Sequence, residues 1–122
     1  MKDFLVVGAG GFLGAMARYG AGLLVDRFWT SAFPLSTLLV NVSGSFILGL
    51  FATLTAERLD VDPRVRLFVA TGFVGAYTTF STFEFETHRL TEAGAAWWGV
   101  VNVVTSVAVG YAAVQLGVWV AR

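Results

Sequence analysis

Four apolar segments, each long enough to cross a bilayer, constrain the fold of this chain more than any other feature. They cover residues 4–25, 35–56, 65–88 and 95–121, and the second and fourth contain no charged residue. An α-helix needs about 20 residues to span the hydrocarbon core. Only 13% of the 122 residues are charged, against about a quarter in an ordinary soluble domain. The sequence therefore predicts one all-α membrane domain, residues 1–122, with four transmembrane helices.

The third segment contains a stretch, residues 72–83, that does not resemble a lipid-facing helix. It combines two glycines with the adjacent threonines Thr78 and Thr79 and the run Phe80-Ser81-Thr82-Phe83. Glycine and β-branched residues weaken a helix, and a carbonyl freed at bilayer depth must face protein, water or an ion. We therefore expect the third helix to be broken near its middle, and we expect the break to be a functional site. From the pattern alone, a continuous packing helix with several hydroxyls is the alternative.

Polar side chains inside the predicted spans are few and mostly neutral. Arg18 is the only ionisable residue well inside a span, and it could face the helix bundle or extend to the interface. Asn41 and Asn102 need partners, which could be other helices or the wall of a pathway. Because no carboxylate lies deep in a span, a proton relay is not expected. The sequence also offers no nucleophile–base–acid set and no basic block, so neither an enzyme nor a nucleic-acid partner is predicted.

The remaining neutral groups favour an anion as the ligand. Hydroxyls and amides can donate hydrogen bonds, and the edge of a phenylalanine ring carries the positive part of its quadrupole. The sequence shows no wide polar groove, so the anion should be small.

Small residues and basic residues suggest how the helices associate and insert. Gly10 and Gly14 form a GxxxG pair, which favours close contact between helix backbones.

Four crossings would put both termini on one side of the membrane. The basic residues show only a weak bias towards that side, so both insertion orientations remain open.

Three motifs together resemble the CrcB/Fluc family of fluoride channels. They are GGFLGA at residues 10–15 with Arg18-Tyr19, TLLVNVSGSF at residues 37–46, and GFVGAYTTFSTF at residues 72–83. The resemblance covers essentially the whole chain, and its third motif is the most specific. It implies a passive channel of the inner membrane that exports fluoride from the cytoplasm. It also implies an antiparallel, dual-topology homodimer in the lipid bilayer, with two pores along the dimer interface.

The resemblance also implies roles for particular residues. The carbonyls of Gly75 and Thr78 from both subunits would hold a structural sodium ion. Phe80 and Phe83 would face fluoride along each pore, and Asn41 would be a pore-lining amide. The other residues expected along the pathway are Thr37, Thr79, Ser81, Thr82, Glu86, Asn102 and Ser106, and Arg18 matches the arginine of the first helix. The pair Ala76-Tyr77 departs from the small or apolar residues typical of the family.

Two other classes of protein share some of these features. A small four-helix multidrug transporter would also be short, apolar and dimeric, but it needs a carboxylate in the middle of its first helix, where this chain has Gly14 and Ala15. A membrane assembly subunit that transports nothing is the third possibility. Measurement of ion flux after reconstitution separates it from a channel.

Overall fold

All regular structure in the computed structural model, which describes Met1–Arg122, is helical. Three helices are long and apolar enough to span a membrane: α1 (Lys2–Asp26), α2 (Leu35–Glu57) and α6 (Ala96–Ala121). Between α2 and α6 lie α3 (Pro63–Arg66), a π-helical segment (Leu67–Val74), α4 (Gly75–Tyr77) and α5 (Phe80–Glu92). These four elements correspond to the predicted third span, and the expectation of an all-helical chain is confirmed.

The third span is interrupted between α4 and α5, as the sequence predicts. It begins and ends with recognisable signals: Asp62 caps α3 by accepting a hydrogen bond from the Arg64 N–H at 2.8 Å, and Pro63 occupies the first turn. At the far end, Gly94 has a φ of 79°, a left-handed conformation that glycine adopts without strain and that ends α5. The π-helical segment was not predicted from the sequence.

Glycines allow α1 to pack directly on the first half of the third span. A Cβ atom added at Gly10 would collide with the carbonyl oxygen of Phe68, and one added at Gly14 would collide with that of Phe73. From the other side, a Cβ on Gly72 would lie 2.6 Å from the Val7 oxygen. The predicted close approach at the GxxxG pair is therefore confirmed.

A second glycine contact joins α2 to α6. A Cβ at Gly49 would collide with the Val114 carbonyl oxygen, and a Cβ at Gly117 would collide with that of Phe46. The ends of these two helices also meet, because the Arg122 guanidinium forms an exposed ion pair with Glu57 at 3.0 Å. The three long helices and the interrupted third span thus form two close pairs, and α5 also contacts α6.

Most of the apolar surface points outward. Only 17 of the 122 residues are buried in the single chain, which is a small interior for so apolar a protein. Large side chains such as Phe4, Phe12, Tyr111 and Trp119 are exposed along α1 and α6. In water such a surface would drive aggregation, whereas lipid or another copy of the chain can cover it.

The glycine contact between α1 and the third span predicts that the effect of one added methyl group on stability depends on its position in α1. We expect Gly14→Ala to lower stability by about 1–3 kcal/mol, because the new Cβ meets backbone atoms that cannot rotate away. Gly8→Ala is the matched control on the same helix, since a Cβ at Gly8 meets nothing within 4 Å. Thermal unfolding of the detergent-solubilised protein measures both. Equal melting temperatures for the two variants would contradict the packing described here.

Candidate functional site at the break in the third span

Two extended residues make the break. Thr78 has φ −83° and ψ 156°, and Thr79 has φ −148° and ψ 115°. Helical geometry resumes at Phe80, where the Thr79 hydroxyl oxygen caps α5 by accepting a hydrogen bond from the Thr82 N–H at 3.3 Å. The break therefore falls inside the stretch that the sequence singled out.

Asn41 on α2 satisfies the backbone that the break leaves without helical partners. Its Oδ1 accepts a hydrogen bond from the Thr79 N–H at 2.8 Å, and its Nδ2 donates one to the Thr79 carbonyl at 3.0 Å. One side-chain amide thus replaces two backbone hydrogen bonds of an intact helix. Since an unpaired backbone group at membrane depth costs several kcal/mol, this contact stabilises the break. One of the two amide hydrogens of Asn41 remains free for another acceptor.

The contact with Asn41 also fixes the direction of the Thr78 carbonyl. The Thr78 C=O and the Thr79 N–H belong to one peptide unit, which is trans like every other in the chain. In a planar trans unit these two groups point in opposite directions. The Thr78 carbonyl therefore points away from the Asn41 Oδ1 atom. It accepts no hydrogen bond within the chain, because its helical partner, the Thr82 N–H, donates to the Thr79 hydroxyl.

Two further carbonyls of α4 lie next to the break. The carbonyl of Gly75 lacks its regular α-helical donor, because the Thr79 N–H donates to Asn41 instead. The Ala76 carbonyl accepts a hydrogen bond from the Arg18 Nε at 3.1 Å. Arg18 therefore faces the bundle and does not extend to the interface. It attaches α1 to the short helix that carries Gly75.

The largest group of predicted site residues shares one cavity, of about 280 Å³, beside the break. Phe80 and Phe83 lie on its wall, with ring centroids 5.8 Å apart and planes at 61°. Phe83 is 5% exposed, whereas Phe80 is 74% exposed, so the cavity opens at the Phe80 side. The polar residues on its wall are Asn41, Ser45, Thr78, Thr79 and Ser106. No ionisable side chain lines it.

A second cavity, of about 190 Å³, lies on the other side of Thr79 between α1, α2 and α5. Arg18, Thr37 and Thr82 contribute polar atoms to its wall. The Thr37 hydroxyl donates a hydrogen bond to Glu86 Oε1 at 2.9 Å. Glu86 in turn lines a third cavity, of about 340 Å³, at the end of the bundle where α1 ends and α2 begins.

Three predicted residues lie apart from these cavities. Asn102 is only 1% exposed, and its Nδ2 donates to the Thr87 hydroxyl at 2.9 Å, so within this chain it joins α6 to α5. Its Oδ1 accepts a hydrogen bond from the Ser106 hydroxyl at 3.4 Å. Ser81 and Gly75 are exposed on the surface of the single chain.

Sequence reasoning missed Thr87, which connects Asn102 to one of the two phenylalanines. Its hydroxyl donates to the Phe83 carbonyl at 2.8 Å, and together these residues form a hydrogen-bonded chain from Ser106 to the backbone of Phe83. The available signal was spacing, because a threonine four residues after Phe83 lies one helical turn further along the same face.

Comparison with known proteins agrees with the motifs around the break. The model of the family described as "CrcB-like protein, Camphor Resistance (CrcB)" matches residues 5–118. The chain belongs to the CrcB family. Among similar members, the "Fluoride-specific ion channel FluC" of Solibacter usitatus is 45% identical, over 98% of each chain. The protein of the same name from Ruminiclostridium cellulolyticum is 43% identical over 100% of this chain and 94% of its own.

Family membership settles the broad class of this protein. The compared CrcB relatives are named as ion channels, which confirms that the chain is not an enzyme. With its long apolar helices, this CrcB chain is a multi-pass membrane protein, which in bacteria resides in the inner membrane.

The two hydrogen bonds of Asn41 predict a large loss of stability when the amide is removed. Asn41→Leu keeps the approximate volume but leaves the Thr79 N–H and carbonyl without partners. We expect a destabilisation of about 2–6 kcal/mol, since two groups lose their partner and each buried unpaired group costs about 1–3 kcal/mol. Ser45→Ala is the control, because Ser45 lines the same cavity and its hydroxyl makes no hydrogen bond. Thermal unfolding in detergent measures both, and a melting temperature of Asn41→Leu equal to that of Ser45→Ala would refute the role of Asn41.

Proposed function

We propose that this chain is a fluoride-selective, passive ion channel through which fluoride leaves the cytoplasm. The identity of 45% to a protein named as a fluoride-specific ion channel, over 98% of both chains, carries the proposal. The chemistry around the break supports it, because the cavity at Phe80 and Phe83 offers hydroxyls, an amide and ring edges but no carboxylate. These groups can replace part of the water around a small anion while holding it weakly enough to release it.

The free donors in this cavity are well defined. Asn41 retains one amide hydrogen after its contact with Thr79, and the Ser45 hydroxyl makes no hydrogen bond within the chain. The Thr78 hydroxyl is less available, because it already donates to the Val74 carbonyl at 3.0 Å. We infer that fluoride passes Phe80 and Phe83 with Asn41 and Ser45 as its first polar contacts.

The functional unit in this proposal is an antiparallel, dual-topology homodimer with two pores. A single chain leaves the cavity open at Phe80, which is 74% exposed. A second copy could close that side and cover part of the outward apolar surface. The weak bias of basic residues permits insertion in both orientations.

A structural sodium ion at the centre of the dimer completes the proposal. Backbone carbonyls are suitable ligands for an alkali cation, and the Thr78 carbonyl has no other partner. Gly75 is exposed, and its carbonyl lacks its usual helical donor, so it fits the same role. A bound sodium ion would offset the dipoles of these carbonyls and raise the potential for an anion nearby.

Fluoride flux through reconstituted protein tests the channel assignment. We expect rapid fluoride efflux from proteoliposomes and none of chloride. Phe80→Ile and Phe83→Ile should each lower fluoride efflux by about tenfold or more, because an aliphatic side chain has no electropositive ring edge. Phe85→Ile is the control, since Phe85 is a 62% exposed ring on the same helix and lines none of the cavities described. A fluoride-selective electrode outside the vesicles measures the rate.

Two results would overturn this assignment. A folded dimer that releases no fluoride would point to a subunit that transports nothing. Uptake of a cationic drug driven by a proton gradient, without fluoride release, would point to a multidrug transporter. Wild-type flux in both Phe80→Ile and Phe83→Ile would refute the pore but leave the channel assignment intact.

The proposed sodium ion predicts a specific salt effect. We expect the melting temperature of the detergent-solubilised protein to rise with sodium concentration at constant ionic strength, since a ligand that binds only the folded state stabilises it. At about 100 times the dissociation constant, the gain is about 2.7 kcal/mol. N-methylglucamine, which is too large for a carbonyl site, replaces sodium as the control. An equal melting temperature in the two salts would remove the ion from the proposal.

A further inference from the structure

Tyr77 lies directly before Thr78, whose carbonyl is unpaired. Tyr77 lines neither the cavity of Phe80 and Phe83 nor the cavity of Arg18 and Thr37. Its ring stacks on that of Phe73, one helical turn earlier, with centroids 5.9 Å apart and planes at 17°. Its hydroxyl lies 2.9 Å from the Ser43 hydroxyl on α2. Polar contacts of this kind between helices have few competing partners in a membrane.

The hydroxyl of Tyr77 is the donor in this contact. Ser43 has one hydroxyl hydrogen, and its oxygen also lies 3.1 Å from the Val40 carbonyl, which can only accept. The Ser43 hydrogen therefore goes to Val40, and the Tyr77 hydrogen goes to Ser43. The pair has a defined direction and ends on the backbone of α2.

Gly44 makes room for this arrangement. A Cβ on Gly44 would lie 3.2 Å from the Tyr77 Cδ1 atom and would collide with the Thr78 methyl group. Tyr77, Thr78 and Thr79 consequently all contact the same stretch of α2. Tyr77 is held through its side chain and Thr79 through its backbone, so the Thr78 carbonyl lies between two points fixed on one helix.

We propose that Tyr77, acting through Ser43, is a positioning residue for the cation site formed by the Thr78 carbonyl. This inference rests on the sodium ion of the proposed function. Asn41 fixes the peptide unit between Thr78 and Thr79, and the contact with Ser43 holds Tyr77, the residue before Thr78, on α2. When the Tyr77 anchor is removed, Asn41 still sets the direction of the Thr78 carbonyl, but the residue before Thr78 is no longer held on α2. The carbonyl can then shift its position in the absence of the ion, and binding has to order it. The cost appears as weaker sodium binding.

The test is a sodium titration of thermal stability in Tyr77→Phe, which removes one hydroxyl and retains the stacked ring. We expect the sodium concentration for half-maximal stabilisation to rise about fivefold, corresponding to the loss of one hydrogen bond. Ser43→Ala should give a similar rise. The double variant should be no weaker than either single variant, because both remove the same contact. Tyr111→Phe, on an exposed tyrosine of α6 without a hydrogen bond, is the control and should titrate like wild type.

The outcomes separate the inference from the proposals on which it rests. Wild-type sodium dependence with an unchanged half-maximal concentration in Tyr77→Phe overturns the positioning role and leaves the sodium site intact. A lower melting temperature without sodium, combined with an unchanged sodium titration, shows a purely structural contact and also overturns it. Lack of sodium dependence in the wild type overturns both the inference and the cation site. Fluoride efflux from wild-type proteoliposomes then decides separately whether the protein is a channel.

Discussion

The interaction on which the rest of this structure depends is the contact between the Asn41 amide and the backbone of Thr79. A helix can be interrupted inside a bilayer only where the freed N–H and C=O groups find new partners, because lipid supplies none. Asn41 supplies one donor and one acceptor on a single rigid group. The geometry of a trans peptide then directs the Thr78 carbonyl the opposite way, where the chain offers it no donor. This unpaired carbonyl is the feature on which the proposed cation site rests.

The close packing of the helices follows from the same requirement. A short side chain such as that of asparagine reaches a neighbouring backbone only when two helices approach closely. Gly44 permits that approach on α2, where any side chain would collide with Thr78. On the other face, Gly10 and Gly14 bring α1 against the third span, and Arg18, one turn further along α1, reaches the Ala76 carbonyl. The small residues thus have a local purpose beyond general helix association, since they bring polar side chains within reach of the broken segment.

Much of this arrangement could be predicted from the sequence, and the limits have physical causes. Segment length and lack of charge predict the membrane helices, and the weak helix formers of residues 72–83 predict a break. Local propensity does not decide which of these residues leaves the helix. That choice is made by Asn41, a residue 38 positions away from Thr79. Three other features also depend on how distant helices approach one another, and local sequence does not predict them. They are the π-helical segment, the enclosure of Asn102 and the contact of Tyr77 with Ser43.

The polar groups around the break divide into those that hold the backbone and those that stay free. Arg18, Asn41 and the Tyr77–Ser43 pair use hydrogen bonds to hold three successive parts of the segment. What remains free is the Thr78 carbonyl, together with weak neutral donors in the cavity of Phe80 and Phe83. An anion pathway lined by basic side chains would bind its ion tightly and release it slowly. A cation fixed on backbone carbonyls would instead attract the anion through space without forming a direct bond to it, and the electrostatic attraction would then be compatible with rapid passage.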